Sequence, residues 1–181
     1  MKIANLLRNK ITFEDGTLVP VNSDIILEYG IKEGIEFSEE EISKIMEEAA
    51  YSKAVSILSR QDKSEKGLQM KLRESFRDGA LIEKTVRRVK EKGYLNDSDY
   101  AKSFLNGKNY SRKQAVYELM KKGVGKKEAE SALEESEIDE LSIIKKYISK
   151  MAGKDERKII ESLMRKGFEY EDIRNVLRGK S

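Results

Sequence analysis

Side chains able to make or break bonds are scarce here, and those present lack the company that catalysis needs. The 181 residues include neither cysteine nor histidine, which removes thiol nucleophiles, disulfides, zinc fingers and the commonest general base. Carboxylates, lysines, tyrosines and serines remain. The nearest thing to a paired-carboxylate centre is Asp97 with Asp99. Acid/base work or metal binding would need companion ligands, and the neighbouring sequence offers none. At the start of a helix the same two side chains place negative charge at the positive end of its dipole, and that is the structural role assigned to them. Gly123 to Lys127 (GVGKK) lacks the spacing and hydroxyl residue of a phosphate loop and follows a helical pattern rather than a strand, so it reads as a turn. The chain is expected to work without catalysis, metal or cofactor.

Charge is what the sequence has in quantity: Asp, Glu, Lys and Arg make up 38% of it, with a single proline, against roughly 25% charged residues in ordinary domains. Long solvent-facing helices follow. The net charge of +3 conceals a division, because residues 1–52 hold 5 Lys/Arg against 11 Asp/Glu, residues 53–127 hold 20 against 9, and residues 128–181 hold 11 against 13. The respective nets are −6, +11 and −2. A basic middle is expected to meet something anionic, either nucleic acid or an acidic protein groove. Ile3, Leu6 and Leu7, broken by Asn5 and Arg8, form a patch too short and polar for a signal peptide, and no run approaches membrane-spanning length. A cytoplasmic protein with no membrane partner is the expectation.

These residues must be positioned by elements that the pattern also reveals. Lys10–Phe13 and Leu18–Val21 are strand-like runs around Glu14-Asp15-Gly16-Thr17, a hairpin signal, with Pro20 demoting the second strand to an edge. Ser23 should cap a short helix from Asp24 to Tyr29 that Gly30 ends. Ser38 with Glu41 forms a capping box, and Phe37 with Ile42 a hydrophobic staple, for a helix reaching about Ser59. From there the chain repeats. Ala54, Ile57, Leu58, Leu68, Leu72, Ile82 and Val86 match Ala101, Phe104, Leu105, Ala115, Leu119, Ala129 and Leu133 at a constant offset of 47 residues. A further offset of 44 reaches Ile148, Ile159, Leu163, Ile173 and Leu177, although Lys145 and Ser149 fall where apolar side chains belong. Terminal copies in arrays tend to be atypical. Within each copy the apolar residues cluster three or four apart in three groups, which describes three amphipathic helices.

The fold class read from this is mainly all-α: tandem three-helix repeats forming an elongated curved array, with a small β-hairpin-containing N-terminal cap. Its parts are an acidic segment at 1–52 and repeats at 53–95, 96–137 and 138–181, the first repeat's leading helix starting near residue 38. Leu72, Leu119, Leu163, Ile82, Leu133 and Ile173 are assigned to the core. No coiled-coil seam is visible, so the chain is expected to be a monomer.

The joint between the first two repeats, Gly93 to Leu105 (GYLNDSDYAKSFL), has clear local physics. Gly93 stops a helix that starts near Leu81, Asn96 can cap the next, and Leu95 with Tyr100 take the two staple positions. Together with Tyr117 to Val124 (YELMKKGV), this joint resembles the RecX family, whose members share a Gly-Tyr/Phe-Leu-Asp-Asp-x-x-Tyr/Phe-Ala joint followed by Glu-Leu-x-x-Lys-Gly-Ile. Gly93, Tyr94, Leu95, Asp97, Tyr100, Ala101, Glu118, Leu119, Lys122 and Gly123 match it, and Arg165-Lys166-Gly167-Phe168 echoes the turn in the third copy. The sequence departs from that pattern at Asn96, at Lys63-Ser64 and Gly67-Leu68, and in the shorter loop Tyr110 to Gln114.

The resemblance implies a non-catalytic regulator that binds the RecA recombinase filamented on single-stranded DNA and limits filament growth, ATPase and strand exchange. The contact surface expected for such a partner is the basic set Arg60, Lys63, Lys66, Lys71, Arg73, Arg87, Arg88, Lys108, Arg112, Lys113, Lys121 and Lys122. Among them Arg60, Arg73, Arg87, Arg88 and Arg112 are singled out, since a planar guanidinium suits carboxylate or phosphate. The runner-up is a basic helical module binding single- or double-stranded DNA directly, against which stands the lack of an aromatic-interleaved basic stripe. A scaffold of the tetratricopeptide kind would need repeats of about 34 residues.

Overall fold

Residues 1–136 and 138–179 are described by the computed structural model, and the chain divides into two units, Met1–Asn96 and Asp97–Ser181. In the first unit, alternation of exposed Lys10 with buried Ile11 and Phe13 makes β2 (Lys10–Phe13) the middle of an antiparallel sheet, between β1 (Ile3–Leu7) and β3 (Leu18–Pro20). The turn between β2 and β3 is tied by Asp15, whose carboxylate accepts from the Thr17 amide and hydroxyl at 2.9 Å each. Those bonds hold its carboxyl below the ordinary value. Pro20 lies in an edge strand, as its missing donor requires.

Two local readings are corrected. β1 was visible only as a short apolar patch, because an irregularity in register between Ile3 and Asn5 breaks the alternation that marks a strand. Helix α1 (Ser23–Glu28) is capped by Asn22, not Ser23: the Asn22 side chain accepts from the Ile25 amide at 2.9 Å, and Ser23 is already helical. Gly30 does take the left-handed conformation after it, with φ 58°.

Helices α2 (Glu39–Leu58), α3 (Glu65–Arg73) and α4 (Gly79–Glu91) complete the unit. The Ser38–Glu41 capping box closes in both directions, and Phe37 and Ile42 are both buried. α4 begins earlier than expected, since Asp78 accepts from the amides of Ala80 and Leu81. One continuous core joins the sheet to all four helices, with Ile11, Phe13, Ala50, Ala54, Leu68, Leu72 and Val89 fully enclosed.

In the second unit, α5 (Asp97–Leu105), α6 (Arg112–Lys121) and α7 (Lys126–Glu134) form one three-helix group, and α8 (Glu140–Lys150), α9 (Glu156–Arg165) and α10 (Tyr170–Leu177) another. All six residues assigned to the core are buried. The glycine part of GVGKK is a turn, with Gly123 at φ 92° and Gly125 capping α7, and its two lysines open that helix. The irregular start of the third copy has a specific cause: in α8 the enclosed residue is Ile144, with Ile148 packed beside it, so the first helix matches Ala101 and Leu105 at an offset of 43 rather than 44. Lys145 and Ser149 are outward because the register slips by one residue, which the α8–α9 connection takes up.

The loop before α6 is a cap that also reaches the last repeat. Ser111, fully buried, accepts from the Gln114 amide at 3.1 Å and donates to the Lys166 carbonyl at 2.6 Å. Gly167 follows at φ 85°, and a Cβ there would lie 2.7 Å from the Ser111 hydroxyl oxygen. Only glycine satisfies both the backbone and the approach. Ser111→Ala, which leaves a buried carbonyl without its donor and α6 without its cap, is expected to cost about 1–3 kcal/mol, and Leu119→Ala about 2–5 kcal/mol. Urea unfolding of the full chain followed by circular dichroism measures both; a Ser111→Ala midpoint equal to that of the unchanged chain would show the latch to be inert.

Candidate partner-binding surface

The expected contact residues fall on a few elements. In the first unit Arg60 follows α2, Lys63 precedes α3, Lys66, Lys71 and Arg73 lie on α3, and Arg87 and Arg88 on α4. In the second, Lys108 lies in the α5–α6 loop, Arg112 and Lys113 open α6, Lys121 closes it and Lys122 is its C-cap.

Several are already engaged. Arg88 grips Glu48 with two nitrogens at 2.7 and 3.3 Å and lies 3.9 Å above the Tyr51 ring. The Glu48 hydrogen bond raises its pKa above the ordinary guanidinium value. This residue ties α4 to α2. Lys71 pairs with Glu74 at 2.8 Å, Lys63 donates to the Gln61 amide oxygen at 2.7 Å, and Glu140 accepts from the Arg112 amide at 2.9 Å with its side chain about the guanidinium. Lys113 meets Glu169 at 2.6 Å, and that hydrogen bond raises its pKa. Such pairs at the surface are worth little and exchange readily. Lys108 stands 6.0 Å from the Phe104 ring.

Arg60, Lys66, Arg73, Arg87 and Lys121 are exposed and form no ion pair with any described residue. With Lys108, likewise exposed and outside any ion pair with a described residue, they are the members of the expected set with charge to offer. Lys66 and Arg73 share one stripe of α3, seven residues apart. Among the described residues no three carboxylates gather to hold a metal ion, and no helix is long and apolar enough to cross a membrane.

The sequence reading missed the apolar side chains among these cations. Met70, Tyr94, Tyr117, Met120 and Met164 are large, apolar and between 46% and 64% exposed. Tyr94 belongs to the Gly-Tyr-Leu joint yet points outward, while Leu95 beside it is buried. The signal available was positional: in α3 and α6 these residues fall outside the i, i+4 core pairs Leu68 with Leu72 and Ala115 with Leu119.

No family model matches the chain. A regulatory protein RecX from Caldanaerobacter subterraneus subsp. tengcongensis is 34% identical over 160 residues, covering 82% of this chain and 81% of that protein. A regulatory protein RecX from Clostridioides difficile is 28% identical over 191 residues, covering 94% and 88%. Among solved structures, a crystal structure of regulatory protein RecX matches with a TM-score of 0.66 over 98% of both chains at 20% identity. That of RecX from Lactobacillus salivarius matches with a TM-score of 0.65 at 24% identity, over 74% of this chain and 96% of that one. At those identities the structures speak to fold alone, and they fit a helical repeat array.

The contrast between engaged and unpaired arginines is testable within one helix. Arg88→Lys loses the two-nitrogen grip and the stack on Tyr51 and is expected to lower stability by roughly 1 kcal/mol, while the neighbouring Arg87→Lys stays within about 0.5 kcal/mol of the unchanged chain. Urea midpoints read both; equal midpoints for the two variants would remove the structural role assigned to Arg88.

Proposed function

This chain belongs to the RecX family of regulatory proteins, and from that membership we propose that it binds the RecA recombinase filament on single-stranded DNA and restrains its growth, ATP hydrolysis and strand exchange. The observation that carries the reading is the set of exposed, unpaired cations Arg60, Lys66, Arg73, Arg87 and Lys121 on a helical scaffold. Exposed arginine and lysine outside any ion pair attract an anionic partner at long range. Catalysis has no support in the residues, since neither thiol nor imidazole exists in the sequence. The protein acts by occupancy, as a cytoplasmic monomer without a cofactor.

Direct binding to DNA is the competing reading, favoured by the central net of +11. The two separate by salt and stoichiometry. Recombinase ATP hydrolysis on single-stranded DNA, titrated with this protein from far below one copy per recombinase, is expected to fall at substoichiometric ratios while affinity for DNA alone at matched salt stays weak. Unchanged hydrolysis at equimolar protein, with strong salt-dependent DNA binding, would replace the filament regulator by the nucleic-acid module.

A further inference from the structure

In α3 the fully buried pair Leu68 and Leu72 fixes the helix rotation and leaves Lys66, Met70 and Arg73 outward, with Met70 61% exposed. In α6 the pair Ala115 and Leu119 does the same for Lys113, Tyr117 and Met120, with Tyr117 64% exposed. Met70 and Tyr117 stand at the same repeat position, 47 residues apart, as do Lys66 and Lys113. Met120 recurs 44 residues later as Met164 of α9, and the two are 46% and 49% exposed. Exposed apolar side chains scattered singly need no explanation. A repeat position left apolar and open twice, each time four residues after a cation, is a different matter. Folding does not ask for it, because a polar residue there would disturb neither core.

We propose that the outer face of α3, with Lys66, Met70 and Arg73, and the outer face of α6, with Lys113, Tyr117 and Met120, each taken by itself, dock an acidic protein segment carrying apolar side chains. Resting on the reading above, that segment belongs to the recombinase filament. Charge complementarity selects the partner's sign: Lys66 and Arg73 are unpaired among the described residues, and the exposed Lys113–Glu169 pair gives way to another carboxylate at little cost. The apolar members select its class. Methionine adapts to apolar sockets on proteins, whereas binding of single strands uses rows of aromatic rings on which bases stack, and only Tyr117 of the three is aromatic. Cations steer the encounter while the buried anchors set how long it lasts.

The double variants Met70→Ala/Tyr117→Ala and Met70→Lys/Tyr117→Lys test this in the full chain, with helicity checked by circular dichroism. The lysine pair adds positive charge while removing both anchors, so a phosphate-reading face would bind more strongly and a protein-docking face less. Expected is a rise of about tenfold or more in the concentration that half-inhibits recombinase ATP hydrolysis on single-stranded DNA, for both variants, with affinity for a fluorescein-labelled oligothymidine equal or higher. Inhibition unchanged to within about twofold by both variants would overturn the docking face. So would a parallel loss of inhibition and oligothymidine affinity in the alanine pair, which would give the face to nucleic acid. Failure of the unmodified chain to affect hydrolysis would overturn the filament reading, and this inference with it.

Discussion

Four residues separate the two side chains that each middle helix sinks into its core: Leu68 and Leu72, Ala115 and Leu119, Ile159 and Leu163. At about 3.6 residues per turn that spacing fixes the rotation of the helix about its own axis. Everything else on those helices follows. The residue four positions ahead of the first anchor becomes the N-cap, which places Ser64 and Ser111 against the interior with 1% and 0% exposure. In α9 the cap is the exposed Asp155, whose carboxylate accepts from the Arg157 amide at 2.8 Å. The residues about half a turn out of phase with the anchors become the outer face, whatever their hydrophobicity, because the core has already been filled.

Electrostatics then divides the cations left over. The acidic N-terminal segment, with its net of −6, lends α2 the carboxylates Glu47 and Glu48. These take Lys84 and Arg88 of α4, at 2.6 and 2.7 Å, while Glu65 of α3 takes Lys90. Much of the positive charge of α4 is thereby neutralised within the unit. The outer stripe of α3 has no such donor of carboxylates, so Lys66 and Arg73 keep theirs for solvent or a partner. The pairs to Glu47 and Glu48 draw on carboxylates outside residues 53–127 and so lower the central excess of +11 by two, while Lys90 with Glu65 is already counted within it.

Patterns confined to a few neighbouring residues were legible in the sequence, namely the Ser38–Glu41 box, the Asp15-Gly16 turn and the glycine stops, and so was the 47-residue repeat that divides the helices. What failed was set by neighbours distant along the chain or by a single-residue shift. A bulge hid β1, Asn22 outcompeted Ser23 for the α1 amides, and one added residue between α8 and α9 made Lys145 look like a flaw in the core. The candidate surface shows the same limit. Residue type marked twelve cations as contacts, but Arg88 finds Glu48, and Lys113 finds Glu169, through tertiary packing that no local pattern encodes. The outward Met70 and Tyr117 looked like ordinary members of amphipathic helices until the burial of Leu68, Leu72, Ala115 and Leu119 showed which face they had been left on.

Residues 128–181 have a net of −2, but residues 128–137 carry five of those carboxylates, so the last repeat itself, 138–181, holds 11 Lys/Arg against 8 Asp/Glu and includes none of the expected contact residues. Its contribution is positional. Tyr147 donates its hydroxyl to the Asn109 carbonyl at 3.1 Å, Lys146 reaches the Asn109 side chain at 3.3 Å, and the Lys166 carbonyl receives the Ser111 hydroxyl. From the other side Tyr110 stacks with Phe104, and Phe104 with Tyr100, at 6.3 and 6.2 Å between ring centres. The segment that offers Lys108 and opens α6 is thus clamped between aromatic rings of its own repeat and donors and acceptors of the next. A contact residue held that way loses less conformational entropy on binding than one on a free loop. The last repeat can therefore strengthen an interface through no contact of its own, by fixing in advance the geometry in which the second repeat meets its partner.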